Sequence, residues 1–508
     1  MKKLIRNVTT IAAGGTNWNC CEANVLIDGS QIVAVEAGAE FGHEANCVEE
    51  IDGSELLAIP GLVNGHFHSS ANLMKGQLNG LPLEIFMLHE VPPLSDTLQP
   101  DRMVYVRTML GAIEMLKNGV TSVQDDAFFV PFPSPGNIDA VMSAYADSGI
   151  RATVALDQPN IVEYEKYPFL KDILTADELR RMETAPIPSS GELLALYGYL
   201  IDNWDCVHDG RIRAAVSCSA PHRVSDDYLA ALYEISRNLR LPFYMHVLET
   251  KVQRVFGDLH LGSSLLQYVH ERGVLDRRSN VIHGIWLDEA DLSLVAEAGS
   301  VISHNPVCNL RLGSGIMPFR RIRELGIPVC IGTDEAIADD SINLWTAMKM
   351  AGLIHNITDP DYRKWPTAGE ILSCVFQGGA RAMGLEGQIG ALAPGFQADI
   401  VLLDLNEIAF TPLNDVQRQL VYCENGSSVR MTMVDGKVLV RDGRVCSVDE
   451  ESIKREAREY AHARAGELAK ARATAAELEP YYREMYFRAA ATDVGMNRWG
   501  HADSNKKG

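Results

Sequence analysis

The chain has 508 residues, of which 22% are charged and 46% are hydrophobic, a composition typical of a globular protein in water. Lys and Arg number 46 against 67 Asp and Glu, which gives a formal charge of −21. So acidic a chain disfavours nucleic acids and anionic membrane surfaces as partners. No apolar run reaches the roughly 18–20 residues that cross a bilayer. The ten cysteines include no CxxC pair, which favours a reducing, cytoplasmic location.

Both ends of the chain carry the pattern of short strands joined by tight turns. Two apolar runs flank Asp28-Gly29 near the start, and two more flank Asp435-Gly436 near the other end. Asp-Gly between two apolar runs is a strong signal for a β-hairpin. We therefore predict one small β-sandwich domain built from residues 1–57 and 386–447.

The middle of the chain, residues 58–385, alternates apolar or β-branched runs with stretches of helical periodicity. Eight such runs are present: Leu57–His68, Gly119–Asp126, Arg151–Asp157, Ile212–His222, Pro242–Glu249, Val281–Gly284, Ser300–Pro306 and Pro328–Glu335. Eight strand-helix units predict an α/β fold of the (β/α)8 TIM barrel type. The alternative is a doubly wound sheet, but no Gly-rich phosphate turn follows the first strand.

Two segments exceed what a barrel needs. Residues 160–190 are long for a loop after the third strand, and they predict either a lid or a surface insertion. Residues 448–508 begin with a stretch rich in Ala, Glu, Lys and Arg, which predicts a helical C-terminal extension with Pro480 as its stop. Its apolar residues are expected to serve helix packing or a subunit contact.

Histidines mark the ends of the predicted barrel strands. His66 and His68 end the first strand as His-Phe-His, and alternation along a strand directs both rings to one side. The residues that end the fifth, sixth and eighth strands are His246, His283 and Asp334. Because the carboxyl ends of barrel strands meet at one mouth, these side chains are expected to converge there. Imidazoles and a carboxylate with room for water describe a catalytic site for a divalent metal.

These motifs resemble the amidohydrolase superfamily, in its branch of metal-dependent aminohydrolases. The matching segments are PGLVNGHFH (60–68), HVLET (246–250), VIHG (281–284), SHNPVCNLRLGSGI (303–316), GTDEA (332–336) and GALAPGFQADIVLLD (390–404). The resemblance implies one divalent ion, Zn²⁺ first and Fe²⁺ as the alternative. The ligands implied for this ion are His66, His68, His246 and Asp334. The fourth strand offers no Lys to bridge two metals, so the expected site is mononuclear.

The resemblance also implies a reaction. The metal would lower the pKa of its bound water, and the resulting hydroxide would attack the amine-bearing carbon of a heteroaromatic ring and release ammonia. Asp334 would accept the proton of the water, Glu249 would protonate the ring nitrogen, and His283 would steady the tetrahedral intermediate. The predicted substrate is an aromatic amine of the purine, pterin, pyrimidine or triazine type.

Several residues are candidates for holding this ring. The resemblance points to His222 on the fourth strand and to His304 and Asn305 on the seventh. Trp286 falls on the loop after the sixth strand, where an aromatic side chain either stacks on a flat substrate or packs the base of the loop.

The resemblance is weaker where the substrate's polar groups would bind. Ser95 stands where S-adenosylhomocysteine deaminases carry a Glu for the ribose hydroxyls, and Asp157 stands where they carry an Arg for the amino-acid carboxylate. A site that lacks these partners binds such a substrate poorly, so we expect S-adenosylhomocysteine to be disfavoured. Glu335 follows Asp334 where the deaminases of this subgroup usually carry a Gly, and its carboxyl group predicts an acidic barrel mouth.

Two other functions fit parts of the pattern. A hydrolase of the same superfamily would cleave a C–Cl, an N-alkyl C–N or an amide bond, but the presence of both Asp334 and Glu249 favours deamination. A barrel that has lost catalysis and serves assembly would lack metal ligands, and all four are present. Proteins of similar sequence are usually homodimers or homotetramers, so we expect a homo-oligomer.

Overall fold

The computed structural model describes residues 2–14, 17–38, 48–95 and 97–500. Its strands are β1 (Lys2–Gly14), β2 (Asn17–Asp28), β3 (Gln31–Glu36), β4 (Val48–Asp52), β5 (Leu56–Pro60), β6 (Leu62–His68), β7 (Val120–Phe128), β8 (Arg151–Asp157), β9 (Ile212–Ala214), β10 (Val216–Ser217), β11 (Phe243–Val247), β12 (Ser279–His283), β13 (Val301–His304), β14 (Val329–Ile331), β15 (Asp334–Glu335), β16 (Ile400–Asp404), β17 (Val429–Val434), β18 (Lys437–Arg441) and β19 (Arg444–Val445).

The helices lie mainly between the strands of the middle segment. They are α1 (Leu83–Glu90), α2 (Asp101–Lys117), α3 (Pro135–Ser148), α4 (Leu170–Ile173), α5 (Ala176–Glu183), α6 (Ser190–Trp204), α7 (Val207–Gly210), α8 (Asp226–Leu239), α9 (Lys251–Phe256), α10 (Leu265–Glu271), α11 (Glu289–Ala298), α12 (Pro306–Arg311), α13 (Phe319–Glu324), α14 (Leu344–Ile354), α15 (Ala368–Ser373), α16 (Gly379–Ala382), α17 (Val416–Tyr422), α18 (Glu450–Ala463) and α19 (Ala465–Ala491). None of these helices is both long and apolar enough to cross a membrane.

The two ends of the chain share one β-sheet. Its nine described strands run in the order β19-β18-β17-β16-β5-β1-β2-β3, with β4 paired to β1. Antiparallel pairing of β5 with β16, which sets Ile59 opposite Val401, joins the start of the chain to its later part. Apolar side chains such as Ile27 and Ile400 are buried in a core of their own. The prediction that both ends build one β-rich domain is confirmed, and the exact domain limits stay a prediction.

Parallel strands form the barrel in the order of the chain. One run of pairing joins β15, β6, β7, β8 and β9, and a second joins β10 through β14. The fourth strand is split into β9 and β10, and the eighth strand into β14 and β15. Counted in this way the described residues give eight parallel strands with helices between them, so the predicted (β/α)8 barrel is confirmed.

The C-terminal extension is helical, but Pro480 does not end it. The chain breaks at Arg464 instead, and α19 then continues through Pro480 to Ala491. A proline inside a helix removes one backbone hydrogen bond. Burial of Leu478, Tyr482 and Met485 against the 160–190 insertion compensates for that loss. The prediction of a stop at Pro480 is therefore wrong, since packing on both sides of the proline holds the helix together.

A buried ion pair connects the barrel to the terminal sheet. Arg151, on β8, is only 4% exposed, and it donates to the Asp399 carboxylate through Nε at 3.0 Å and through Nη2 at 3.2 Å. Asp435 is a second carboxylate partner of the same guanidinium. Arg151 therefore neutralises two acids where the two layers meet.

We expect Arg151→Gln to lower the free energy of unfolding by about 3–5 kcal/mol, because it leaves buried carboxylates without a counter-charge. Chemical denaturation measures this loss. The matched control is Arg102→Gln, which breaks an ion pair with Glu456 whose arginine side chain is 51% exposed, and it should cost at most about 1 kcal/mol. Equal losses for the two variants would contradict the structural role of Arg151.

Candidate active site

The structure brings the predicted ligands together at the carboxyl ends of the barrel strands. The imidazole Nε2 atoms of His66 and His68 each lie 3.6 Å from Asp334 Oδ1. The ligand atoms of His66, His68 and His246 all lie within 4.8 Å of one another. Three imidazoles and one carboxylate thus surround a single point, although they come from strands far apart in sequence.

Backbone carbonyl groups fix the orientation of two of these rings. The Nδ1 atom of His68 donates to Asp126 O at 2.5 Å, and that of His246 donates to Ser219 O at 2.8 Å. Both Nε2 atoms are thereby left to act as lone-pair donors, an arrangement typical of metal-ligating histidines. Buried His66 Nε2 has no hydrogen-bond partner among the described residues, which is the kind of atom that a metal ion would satisfy.

The protonation of the histidines also fits a metal ion. Burial lowers the pKa of His66 to about 4 and that of His246 well below its ordinary value, so both rings are neutral. Burial likewise disfavours a charge on His68, but the carboxylates of Asp334, Asp157 and Asp126 raise its pKa to about 9. The acids around the site thus stabilise positive charge. A proton on His68 Nε2 supplies that charge when no metal is bound, and a divalent ion such as Zn²⁺ or Fe²⁺ would supply it in place of the proton.

Unusual backbone geometry aims two site residues inward. His283 and Asp334 adopt positive φ angles of 70° and 61°, which non-glycine residues rarely do. Between β14 and β15, Gly332 passes so close to β6 that a Cβ atom would lie 2.8 Å from His66 N. Only glycine allows this approach, which brings Asp334 next to the two histidines of β6.

Glu249 and His283 form the other side of the site. His283 Nε2 lies 3.5 Å from Glu249 Oε2 and 3.6 Å from Asp334 Oδ2, so the imidazole stands between two carboxyl groups. Asn309 Oδ1 holds its other nitrogen at 2.8 Å, and Ser314 Oγ donates to Glu249 Oε1 at 3.3 Å. Burial raises the pKa of Glu249 above its ordinary value, which favours the protonated acid.

Two further acids lie behind the metal ligands. Asp126 and Asp157 are close enough to His246 to form a second possible cluster of ligand atoms. That cluster shares His246, whose Nδ1 is 3.9 Å from Asp126 Oδ2 but already donates to Ser219 O. The Asp126 carboxylate accepts from Ser217 Oγ at 2.9 Å. We therefore regard Asp126 and Asp157 as neighbours of the predicted metal ligands and not as a second metal site.

A large cavity opens from this cluster. It encloses about 1220 Å³, including the part open to solvent. Its lining includes five residues of the predicted catalytic site: His68, His246, Glu249, His283 and Asp334. It also includes Ser95, Asp157 and Glu335, which the sequence placed near the substrate, and the apolar residues Met87, Phe128 and Phe129. The insertion at 160–190 contributes Tyr167 and residues 186–188 to the wall. The insertion therefore forms part of the cavity wall, and α19 packs against the insertion.

Trp286 lies away from this cavity, although its loop position had suggested stacking on a substrate. Its side chain is fully buried. The indole Nε1 donates to Ser314 O at 2.8 Å, and the ring meets Trp499 edge to face at 5.3 Å between centroids. Of the two interpretations of Trp286, the structure corresponds to packing at the base of the loop.

His304 also points away from the cavity. On β13 the neighbouring Ser303 donates to Gly65 O inside the barrel, and alternation along the strand therefore turns His304 outward to the helices. There His304 Nε2 lies 3.1 Å from His355 Nε2. Asn305 follows with its amide nitrogen 3.5 Å from His283 Nδ1, so it contacts a site residue from behind.

His222 lies in a small pocket beside the main cavity. It shares that pocket with Glu84, and its ring lies 5.3 Å from that of Phe256. The next residue, Arg223, does line the main cavity, and so does Glu90 at the end of α1. Sequence reasoning singled out neither residue. Arg223 could have been predicted as a cavity residue because it is a charged residue that directly follows His222 after the fourth strand.

The C-terminal extension reaches the same site. Trp499 Nε1 donates to Gly313 O at 3.0 Å, next to Ser314, which contacts Glu249. Lys251, two residues after Glu249, donates from Nζ to Ala490 O at 2.7 Å. The extension thus holds the two loops that carry the Glu249 carboxyl and its hydrogen-bond donor.

The chain is similar in sequence to known deaminases. The chain is 31% identical over 459 residues to a 5-methylthioadenosine/S-adenosylhomocysteine deaminase of Desulforudis audaxviator, covering 90% of this chain and 97% of the relative. It is 30% identical to a 5'-deoxyadenosine deaminase of Methanothermobacter thermautotrophicus, covering 92% of this chain and 98% of the relative.

Solved structures share the fold. A zinc-bound adenosine deaminase from Xanthomonas campestris superimposes with a TM-score of 0.78 at 25% identity, covering 90% of this chain and 97% of the other. An atrazine chlorohydrolase from Arthrobacter aurescens TC1, solved with zinc, gives 0.80 at 24% identity over 90% of this chain and all of the other. Residues 57–439 match the Amidohydrolase family, from the end of the first sheet segment through the barrel and into the returning sheet. The chain belongs to the amidohydrolase family.

Proposed function

We propose that this protein is a hydrolytic deaminase that removes an exocyclic amine from a heteroaromatic ring and releases ammonia. The observation that carries the proposal is the placement of His283 between the carboxyl groups of Glu249 and Asp334, at 3.5 and 3.6 Å, on the floor of the cavity. Glu249 as an acid and Asp334 as a base, on opposite sides of the His283 imidazole, suit a reaction that moves protons to and from a heteroaromatic substrate. The deaminases among its relatives support the same reaction.

The proposed reaction requires one divalent metal ion. His66, His68, His246 and Asp334 would hold it. When bound, it makes water acidic enough to supply a nucleophile near neutral pH. The zinc in the solved relatives supports Zn²⁺ over Fe²⁺ as the ion. The mononuclear site, the homodimeric or homotetrameric assembly and the cytoplasmic location stay predictions.

The two carboxyl groups have different proton tasks. Asp334 faces His66, His68 and His283, so its charged form is stabilised and it can accept a proton from the attacking water. Glu249 is buried with Ser314 Oγ as a donor, and its raised pKa keeps a proton available for the ring nitrogen beside the reacting carbon. His283, held at Nδ1 by Asn309, presents Nε2 to the charge that develops between them.

The metal requirement can be tested by removing and restoring the ion. We expect the metal-free protein to bind one equivalent of Zn²⁺ per chain and to gain thermal stability, because the ion binds the folded state alone. Elemental analysis and thermal denaturation measure the two effects. His246→Gln should lower Zn²⁺ affinity at least 100-fold, whereas the exposed His462→Gln should leave it unchanged. Stoichiometric binding by His246→Gln would show that the ion sits elsewhere.

Ammonia release tests the reaction itself. The metal-loaded protein should release ammonia from one class among aminopurines, aminopterins, aminopyrimidines and aminotriazines. Glu249→Gln should lower kcat by about 10²–10⁴-fold, since an amide cannot donate the carboxyl proton, and Asp334→Asn should abolish turnover. Glu297→Gln, at an exposed acid, is the control. Full metal content without ammonia from any ring would refute deamination and direct the assay to chlorinated and N-alkylated rings and to amides.

A further inference from the structure

Arg223 is a buried cation in the wall of the cavity. It ends the short turn after β10, its side chain is 6% exposed, and it lines the space that begins at Glu249 and His246. Its Nη2 atom donates to the sulfur of Met87 at 3.0 Å, while Nε has no hydrogen-bond partner within the described ranges. No carboxylate oxygen of the described residues lies within 4.0 Å of this guanidinium.

Two acids near Arg223 bond to other residues. Glu84 Oε1 accepts a hydrogen bond from Thr250 Oγ1 at 2.6 Å, and Glu249 contacts Ser314 and His283. Glu84 Oε2 has no hydrogen-bond partner among the described residues and borders the same small pocket as Arg223, but burial raises the pKa of Glu84 to about 7, which weakens it as a counter-charge. Lys166 is another cation of the cavity wall, and it differs from Arg223 because Glu163 neutralises it at 2.7 Å. Arg223 is thus the buried cation of this wall that lacks a close counter-charge among the described residues.

A guanidinium in such a place is costly to the fold. Burying a charge without a partner is unfavourable, and the fold offers Arg223 a thioether as its side-chain acceptor. Arg223 lines the same cavity as Glu249 and His246, so its guanidinium borders the space in which the reacting ring would lie. A ligand that brings hydrogen-bond acceptors to this point would satisfy it.

The rest of the wall indicates what kind of acceptor fits. Glu90, Asp157 and Glu335 also line the cavity. Burial raises the pKa of Glu90 to about 7 and that of Glu335 well above its ordinary value, so the negative charge that disfavours a phosphate or a second carboxylate on the substrate comes from Asp157 and, in part, from Glu90. A ring carbonyl oxygen carries only a partial charge and escapes most of this repulsion. Arginine is also suited to a carbonyl oxygen and an adjacent ring nitrogen, which together accept two of its parallel N–H groups.

We propose that Arg223 binds a carbonyl oxygen on the substrate ring, and that the preferred substrates are therefore amino heterocycles that carry an oxo group, such as amino-oxopyrimidines and amino-oxopurines. This inference rests on the proposed deaminase function and narrows its substrate class. It makes Arg223 a specificity-determining residue, separate from the metal ligands and from the proton-transfer groups.

Matched pairs of rings that differ in one oxo group test the proposal. Cytosine is compared with 4-aminopyrimidine, and guanine with 2-aminopurine, in ammonia-release assays. The wild-type protein should prefer the oxo member of at least one pair by about 100-fold or more in kcat/KM, since a site built to bind a polar group rejects the analogue without it. Arg223→Met should reduce that preference to within about threefold, and Arg223→Lys should retain part of it.

The control is Arg213→Met, on β9. Arg213 also has an Nε atom without a described partner, but it lies outside the residues that line the cavity, so its loss should leave the preference unchanged. Thermal denaturation adds a readout that does not depend on substrate. Unliganded Arg223→Met should be at least as stable as the wild type, because an unpaired buried charge is removed.

Equilibrium binding separates this inference from the deaminase proposal. The same ring pairs are titrated calorimetrically into metal-loaded Glu249→Gln protein, which keeps all four proposed metal ligands and should turn over slowly, with and without Arg223→Met. An oxo preference in binding that disappears with Arg223→Met supports the subsite even if no ammonia is released. Equal binding of the two members of each pair, no binding of either oxo compound, or a preference that survives Arg223→Met would overturn the inference.

Discussion

Closure of the barrel between its first and eighth strands is the constraint on which the site depends. Parallel pairing of β15 with β6 sets Asp334 opposite Phe67, between His66 and His68 in the sequence of the first strand. Gly332 permits the close approach, and the positive φ of Asp334 then turns its carboxylate toward both imidazoles. Without this pairing, the Asp334 carboxylate and the two histidines, some 270 residues apart along the chain, would not lie next to one another.

Segments outside the barrel build and support part of the cavity wall. The 160–190 insertion supplies part of the wall, and α19 packs on the insertion through residues such as Tyr482, whose hydroxyl donates to Glu163 at 3.1 Å. Farther along, Trp499 and Ala490 contact the loops that carry Ser314 and Lys251. The extension lies beyond residues 57–439, which the family model matches.

Local sequence predicted the elements well where one strong pattern decided them. Strand alternation placed His66 and His68 on one side, and runs of apolar residues located each barrel strand. Prediction failed where packing outweighed a local rule. Pro480 lies inside α19 because apolar contacts on both sides of it hold the helix, and His304 turns outward because Ser303 occupies the inner face of β13. A sequence pattern gives the period of a strand, but not which of its faces meets the core.

The sequence by itself determined the fold class and the strand ends, and it predicted the histidines and the carboxyl groups of Asp334 and Glu249 that meet at the mouth. Those features follow from hydrophobic periodicity and from a barrel topology that brings all carboxyl ends of the strands to one side. Only the tertiary structure decided which groups face the cavity and which have partners. Trp286 is buried in the core, and Arg223 lies in the cavity wall with no carboxylate of the described residues within 4.0 Å. Burial and pairing of a charge are sums over neighbours from distant parts of the chain, so no local pattern contains them.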